Sequence, residues 1–356
     1  MSSGHLLLCR PGFEPVLAAE AGAALGREVR PGAGTVWVAD GPLLPPFVFE
    51  RQRLPAARWF PAEGEGPLAR RLLAWIAAAL GPAPAPWVLH AYTADPQGTP
   101  GLAGRAARLG TALAELCARE QAALAARRRA DPAPPLPGRC RVAQVCLLPE
   151  GAWASVAAAA RLSSPWPAGV HRLPADPAAP SRSYLKLEEA LELLGATPRP
   201  RERVVDLGAA PGGWTYAFLR RGCQVWAIDN GPLKLGDPGQ LPGRLTHLRA
   251  DGMSYRPAAA HLPLDWLVAD MLITPGQALG LLRKWLEGRW MRRFVVNVKL
   301  PQRDPLVALG PITAFLAGQG GVSWRMRHLY HDRREVTVVG EVTRGAPARQ
   351  RKRRGR

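Results

Sequence analysis

Val204–Trp214 reads VVDLGAAPGGW, and this stretch decides the fold. An apolar, β-branched run reaches Asp206, Gly208 follows, and Pro211-Gly212-Gly213 leads into a helical pattern over Trp214–Arg221. A short β-branched run bounded by Gly and Pro reads as a buried strand, so the order is strand, glycine turn, helix. In an open α/β sheet such a turn lies at the carboxyl edge, where ligands bind and where glycines let the backbone come close to them. Asp229 ends the next apolar run, 23 residues after Asp206. That spacing suits a carboxylate accepting hydrogen bonds from ribose hydroxyls. Asp251 ends the third run and is placed to reach an adenine amino group.

The GxGxxG spacing of a nicotinamide-dinucleotide loop is missing, since Gly208 is followed by Ala-Ala-Pro-Gly-Gly. An acid two residues before the first glycine does not suit a pyrophosphate. It suits a cation, and S-adenosylmethionine carries an ammonium and a sulfonium. The alternative, an ordinary tight turn between strand and helix, leaves three strand-end carboxylates unexplained.

Outward from the loop the same rhythm continues. Ser183–Leu194, Pro275–Leu286 and Pro305–Gly318 read as helices. Val204–Gly208, Gln224–Asn230, Leu245–Asp251, Leu264–Asp270 and Arg293–Leu300 read as strands, with a late pair at Arg325–Tyr330 and Glu335–Val342. Repeated strand-helix units predict a parallel sheet with helices on both faces, and the late pair an antiparallel edge. Ser163–Pro180, loaded with Pro and Ala, reads as an interdomain linker. Before it, strands are expected at Leu6–Cys9, Thr35–Ala39, Phe47–Phe49, Trp87–Tyr92 and Cys140–Leu148. Helices are expected over Pro15–Leu25, Leu68–Leu80 and Leu102–Arg129. This first part mixes strands and helices and carries no catalytic motif.

Composition narrows the class. A chain of 356 residues suggests at least two domains at roughly 100–200 residues each. Its 47% hydrophobic content supports buried cores, and its formal net charge of +19 favours polyanion partners, nucleic acid first. Five scattered cysteines without CxxC spacing argue against a zinc site or a disulfide framework and fit a reducing cytoplasm. The apolar run Leu6–Cys9 is far shorter than the ~7–15 residues of a signal-peptide core. No stretch approaches the ~18 apolar residues of a membrane span. The expectation is a soluble cytoplasmic protein, a monomer, with no membrane partner and no metal. Only five of the basic residues are lysines, at 186, 234, 284, 299 and 352, so each lysine carries information.

The loop LGAAPGGW resembles that of the FtsJ-type 2′-O-ribose RNA methyltransferases. Four further segments resemble the family in the right order: SRSYLKLEE (Ser181–Glu189), Asp270-Met271, NVKLP (Asn297–Pro301) and YHDRREVTV (Tyr330–Val338). The resemblance covers about residues 181–342 and implies a Rossmann-like class I methyltransferase domain with a mostly parallel seven-stranded sheet. It carries over a Lys-Asp-Lys-Glu tetrad as Lys186, Asp270, Lys299 and Glu335. Cofactor contacts are expected at Ser183, Asp206, Gly208, Ala210, Pro211, Gly212, Gly213, Trp214, Asp229, Asp251 and Asp270.

The chemistry explains such a tetrad. A ribose 2′-hydroxyl is a poor nucleophile that must be aimed in line and relieved of its proton. A lysine takes a proton only when neutral, which a neighbouring cation and partial burial favour. Lys299 is therefore the candidate general base and Lys186 the neighbouring cation that also binds phosphate or hydroxyl. Asp270 and Glu335 would fix the amines. Taken singly, Lys299 could be a snorkelling strand residue, Asp270 a helix cap, and Lys186 part of a solvated face. Two of only five lysines fall on the tetrad, which favours the catalytic reading.

LLLCRPGFE (Leu6–Glu14), PADPAAPSRS (Pro174–Ser183), IDNGPL (Ile228–Leu233) and LYHDRREVTV (Leu329–Val338) sharpen the resemblance. They are similar to members that join an N-terminal α+β THUMP-type RNA-binding domain to this catalytic domain. Those members methylate a cytidine ribose in the peptidyl-transferase loop of large-subunit ribosomal RNA. The resemblance implies residues 1–162 as the THUMP-type domain, 163–180 as linker and 181–343 as the methyltransferase domain. Residues 344–356, with seven basic and no acidic side chains, would form a basic disordered tail that adds salt-sensitive phosphate affinity. The competing class is a non-catalytic RNA-binding ribosome assembly factor on the same fold.

Overall fold

The carboxyl-terminal sheet follows from where its strands can be buried. In the computed structural model, which describes residues 4–42, 46–82, 85–131, 133–137 and 139–343, the chain forms two compact units, Met1–Arg172 and Leu173–Arg356.

In the first unit, β1 (Gly4–Leu8), α1 (Glu14–Leu25), β2 (Val29–Gly32), β3 (Thr35–Ala39) and β4 (Gln52–Pro61) precede α2 (Glu65–Leu80) and β5 (Trp87–Thr93). Next come α3 (Pro100–Glu120), the short α4 (Ala122–Ala125), β6 (Arg141–Leu148) and β7 (Gly151–Ala158). The sheet order is β2-β3-β1-β4-β7-β6-β5, and only β5 and β6 pair in parallel. Helices α2 and α3 cover it through Leu68, Leu72, Ile76, Leu109, Leu113 and Leu116, apolar positions at helical spacing. Strand β4 serves two neighbours. Residues 52–54 and 57 pair with β1 and 58–61 with β7, and Ala56, at φ 47°, lies in the irregularity between Leu54 and Ala57.

The first unit departs from expectation in four places. Phe47–Phe49 forms no strand, because its amides are satisfied elsewhere. Val48 and Phe49 donate to the Glu20 carboxylate while Phe49 stacks on Phe13. Strands β2, β4 and β7 are not predicted by pattern: their Pro, Arg and Ala content hides strand character that pairing supplies. The long helix breaks at Gln121. The expected linker is packed along its length. Gln52 donates to the carbonyls of Ser164 and Trp166, and Arg51 to that of Ala168, so the stretch to residue 172 belongs to the first unit. Pro174 and Asp176 accept from Tyr184 and Tyr216 within the second. The boundary therefore lies at 172/173, not at 162 or 180.

The second unit contains α5 (Tyr184–Leu194), β8 (Arg203–Leu207), α6 (Gly213–Leu219), β9 (Gln224–Ile228), β10 (Arg244–Leu248) and β11 (Leu264–Ala269). It continues with α7 (Pro275–Glu287), β12 (Met291–Lys299), α8 (Pro305–Ala317), β13 (Val322–Arg327) and β14 (Glu335–Val342). The seven strands run β10-β9-β8-β11-β12-β14-β13. The first five pair in parallel, and β14 inserts antiparallel between β12 and β13. Central β11 is buried throughout, whereas β10 and β13 at the edges alternate between exposed and covered residues. Two-sided burial demands continuous apolar runs, which is why the central strands are legible in the sequence. Third-strand pairing stops at Leu248, so Asp251 lies in the following turn and not at a strand end. The basic tail lies outside the described residues, and among those described no helix is long and apolar enough to cross a membrane.

Candidate active site

Two groups of side chains meet at the carboxyl edge of the β8-β11-β12 strands. The first is built on the β8–α6 turn. Gly208 sits at φ 71° with its amide donating to the Ile228 carbonyl, and a Cβ there would lie 2.3 Å from Met271 Cγ. Gly212 is at φ 114°, and a Cβ on Gly213 would meet the Ser183 and Ser181 hydroxyls at 2.4 and 2.5 Å. These glycines are needed because the turn is left-handed and the segment before α5 presses on it. The indole N–H of Trp214 donates to the Ser183 carbonyl at 2.9 Å, and its ring is in the core. Trp214 thus ties the Ser183 segment to the loop and offers no side-chain surface to a ligand.

Asp206 is fully buried at the end of β8. Its Oδ2 accepts from the Thr215 hydroxyl at 2.6 Å, and its Oδ1 has no protein partner. Burial raises its pKa to about 7, against the downward pull of Thr215. An orphaned buried oxygen beside a glycine cradle is a group that a cationic ligand satisfies, so the residues fit S-adenosylmethionine. Asp229 accepts from the amides of Ala210 at 3.0 Å and Gly231 at 2.6 Å, which fixes the carboxylate and leaves lone pairs for ribose hydroxyls. Asp251 accepts from the amides of Met253 and Ser254, and these hydrogen bonds lower its pKa. Lys284, on α7, donates to the Tyr255 carbonyl at 3.1 Å and to that of Met253, pinning the same turn.

The second group is the tetrad. In the antiparallel β12–β14 pair, Lys299 stands opposite Glu335 and Asn297 opposite Thr337, so all four share one face. Asp270 follows β11, whose Ala269 is paired with Val296. Helix α5 packs against β14 and delivers Lys186. Its Nζ lies 3.5 Å from Asp270 Oδ1 and makes a direct ion pair with Glu335 Oε2. Lys299 Nζ is 3.8 Å from Glu335 Oε1 and is half-exposed. The structure therefore brings Lys186, Asp270, Lys299 and Glu335 together.

Burial pulls the Lys186 pKa down, but Asp270, Glu335 and Asp332 outweigh it and raise it overall. Lys186 is a fixed cation. Asp270 is raised by burial, opposed by Lys186 and by Asn297 Nδ2, which donates to its Oδ1 at 2.6 Å. Sequence reasoning missed Asn297, Thr337, Asp332 and Glu189 as site-building residues. Glu189 accepts from the amides of Tyr330 and His331 and from the His331 ring, holding the turn that leads to Glu335. A glutamate three residues after Lys186, on the apolar side of its helix, was the available signal.

The FtsJ-like methyltransferase family matches residues 179–284. Over 354 residues the chain is 37% identical to the ribosomal RNA large subunit methyltransferase M of Alkalilimnicola ehrlichii, covering 94% of this chain and 93% of that protein. It is 35% identical to the protein of the same name from Xanthomonas axonopodis pv. citri, covering 95% and 99%. A third, from Laribacter hongkongensis, is 44% identical over 188 residues, covering 49% and 51%.

Proposed function

The chain belongs to the ribosomal RNA large subunit methyltransferase M family, and on that footing we propose how its site works. It is an S-adenosylmethionine-dependent enzyme that methylates a ribose 2′-oxygen of ribosomal RNA. The observation that carries the reading is the convergence of Lys186, Asp270, Glu335 and Lys299 beside the glycine loop.

When bound, S-adenosylmethionine supplies the methyl group, and Ser183, Asp206, Gly208, Ala210–Gly213, Asp229, Asp251 and Asp270 are the residues that would hold it. Asp206 would face its positive charge, Asp229 would hold its ribose and the Asp251 turn its adenine. Lys186, clamped as a cation, binds the substrate hydroxyl or phosphate. Lys299 takes the 2′-hydroxyl proton onto Nζ, and Glu335 holds both amines. Aiming the hydroxyl supplies a large share of the acceleration, because a misplaced oxygen cannot attack in line.

The finer reading is a cytidine of the peptidyl-transferase loop in 23S ribosomal RNA, presented by the first unit acting as a THUMP-type RNA-binding domain. The enzyme works as a cytoplasmic monomer, without a metal. The test is incubation with methyl-labelled cofactor and naked large-subunit RNA, followed by mapping of 2′-O-methylation. A single modified cytidine in that loop is expected. Label on a base, or on no RNA, refutes the proposal.

A further inference from the structure

The pairing that assembles the tetrad also buries a second row of polar groups behind it. Asn297 Nδ2 donates to Asp270 Oδ1 at 2.6 Å, and Asn297 Oδ1 accepts from the Thr337 hydroxyl at 2.7 Å. The same Thr337 oxygen is 3.1 Å from Asp332 Oδ2, which accepts from the Leu329 amide at 3.0 Å. Asn297, Thr337 and Asp332 are all buried.

A carboxamide can turn end for end unless its partners distinguish oxygen from nitrogen. Turned over, Asn297 would present its carbonyl to the Asp270 carboxylate and its NH2 to Thr337. A hydroxyl that already accepts from Asp332 has only its proton left for Asn297, so it donates to Oδ1 and prevents that. We propose that Asp332 and Thr337 form a positioning relay that locks the Asn297 amide with its NH2 toward Asp270, and so fixes Asp270 against Lys186. This rests on the reading of the tetrad as the methyl-transfer centre.

The proton count supports it. The Thr337 hydroxyl has one proton and two oxygen neighbours, so it cannot donate to both. Burial pushes the Asp332 carboxyl well above the usual carboxylate range, against the pull of Lys186. In its protonated form Asp332 donates to Thr337 Oγ1 and leaves the threonine proton for Asn297. Each link then has one donor and one acceptor, ending on Asp270.

Thr337→Val keeps the shape and removes the hydroxyl. The kcat for transfer to RNA is expected to fall roughly tenfold, as for one buried hydrogen bond removed from a reacting geometry. The RNA KM is expected to stay within about twofold, and Thr337→Ser to recover most of kcat. A second readout needs no substrate. The chain has only two asparagines, Asn230 and Asn297, so ¹⁵N-Asn labelling gives two side-chain amide signals. The Asn297 signal should be shifted downfield and slow to exchange relative to exposed Asn230, and should lose both properties in Thr337→Val. Unchanged kcat in Thr337→Val, equal impairment in Thr337→Ser, or an ordinary Asn297 signal in the wild type overturns the relay. If the wild type methylates no RNA, the functional reading fails, and the amide signals alone then decide the relay.

Discussion

Replacing Asp206 with Asn should remove a pH dependence from cofactor binding. The carboxyl is buried, has one oxygen without a protein partner, and is raised to about 7 by burial. With that pKa it is roughly one-eleventh ionised at pH 6 and ten-elevenths at pH 8. A cation binds the ionised form, so the S-adenosylmethionine Kd of the wild type should fall about tenfold across that interval. Titration of the ligand itself affects wild type and Asp206→Asn alike, so the ratio of their Kd values isolates the carboxylate. Isothermal titration at pH 6, 7 and 8 measures it. Equal pH slopes in the two proteins would refute the argument. The same shift governs stability without ligand. The folded chain holds the Asp206 proton more tightly than the unfolded chain, whose pKa is about 3.8. This stabilisation is complete below the unfolded pKa and is lost as pH rises through about 7, with a ceiling of about 4 kcal/mol at 1.36 kcal/mol per unit. Denaturant midpoints at pH 5 and pH 8 should differ more in the wild type than in Asp206→Asn.

Lys299→Ala should lower kcat by at least about a hundredfold, the usual contribution of a positioned base, with RNA affinity within a few-fold; filter binding and single-turnover transfer measure the two, and retained turnover rejects Lys299 as the base. Gly208→Ala forces a side chain into a left-handed turn and onto Met271, so a loss of about 1–3 kcal/mol in urea unfolding and weaker cofactor binding are expected. Gly280→Ala on α7, whose Cβ meets nothing within 4 Å, should be neutral or stabilising in the same assay. Removing residues 344–356 deletes seven basic side chains and should flatten the salt dependence of RNA binding by roughly 0.7 in log-log slope for each phosphate no longer neutralised; an unchanged slope means the tail does not touch RNA.

By itself the sequence determined the class of the second unit and the loop at its centre. Strands β8, β11 and β12 are buried on both faces, and such strands must be written as continuous apolar runs, legible without knowledge of their neighbours. The glycines of VVDLGAAPGGW were legible for a similar local reason: a left-handed turn admits little else. Strands β4 and β7 were not legible, since their content of Pro, Arg and Ala becomes a sheet only through pairing with each other and with β1 and β6. Nor could local pattern separate linker from domain, because Gln52 and Arg51 capture residues 164–168 from more than a hundred positions away. At the site, family motifs named four residues, but only the insertion of β14 between β12 and β13 sets Lys299 opposite Glu335 and Asn297 opposite Thr337. Sequence order carries no such register. It could not say that Lys186 is held as a cation, a matter of three carboxylates gathered around it from distant segments. Periodicity is a property of neighbouring residues, whereas charge state and amide orientation are properties of what burial brings together.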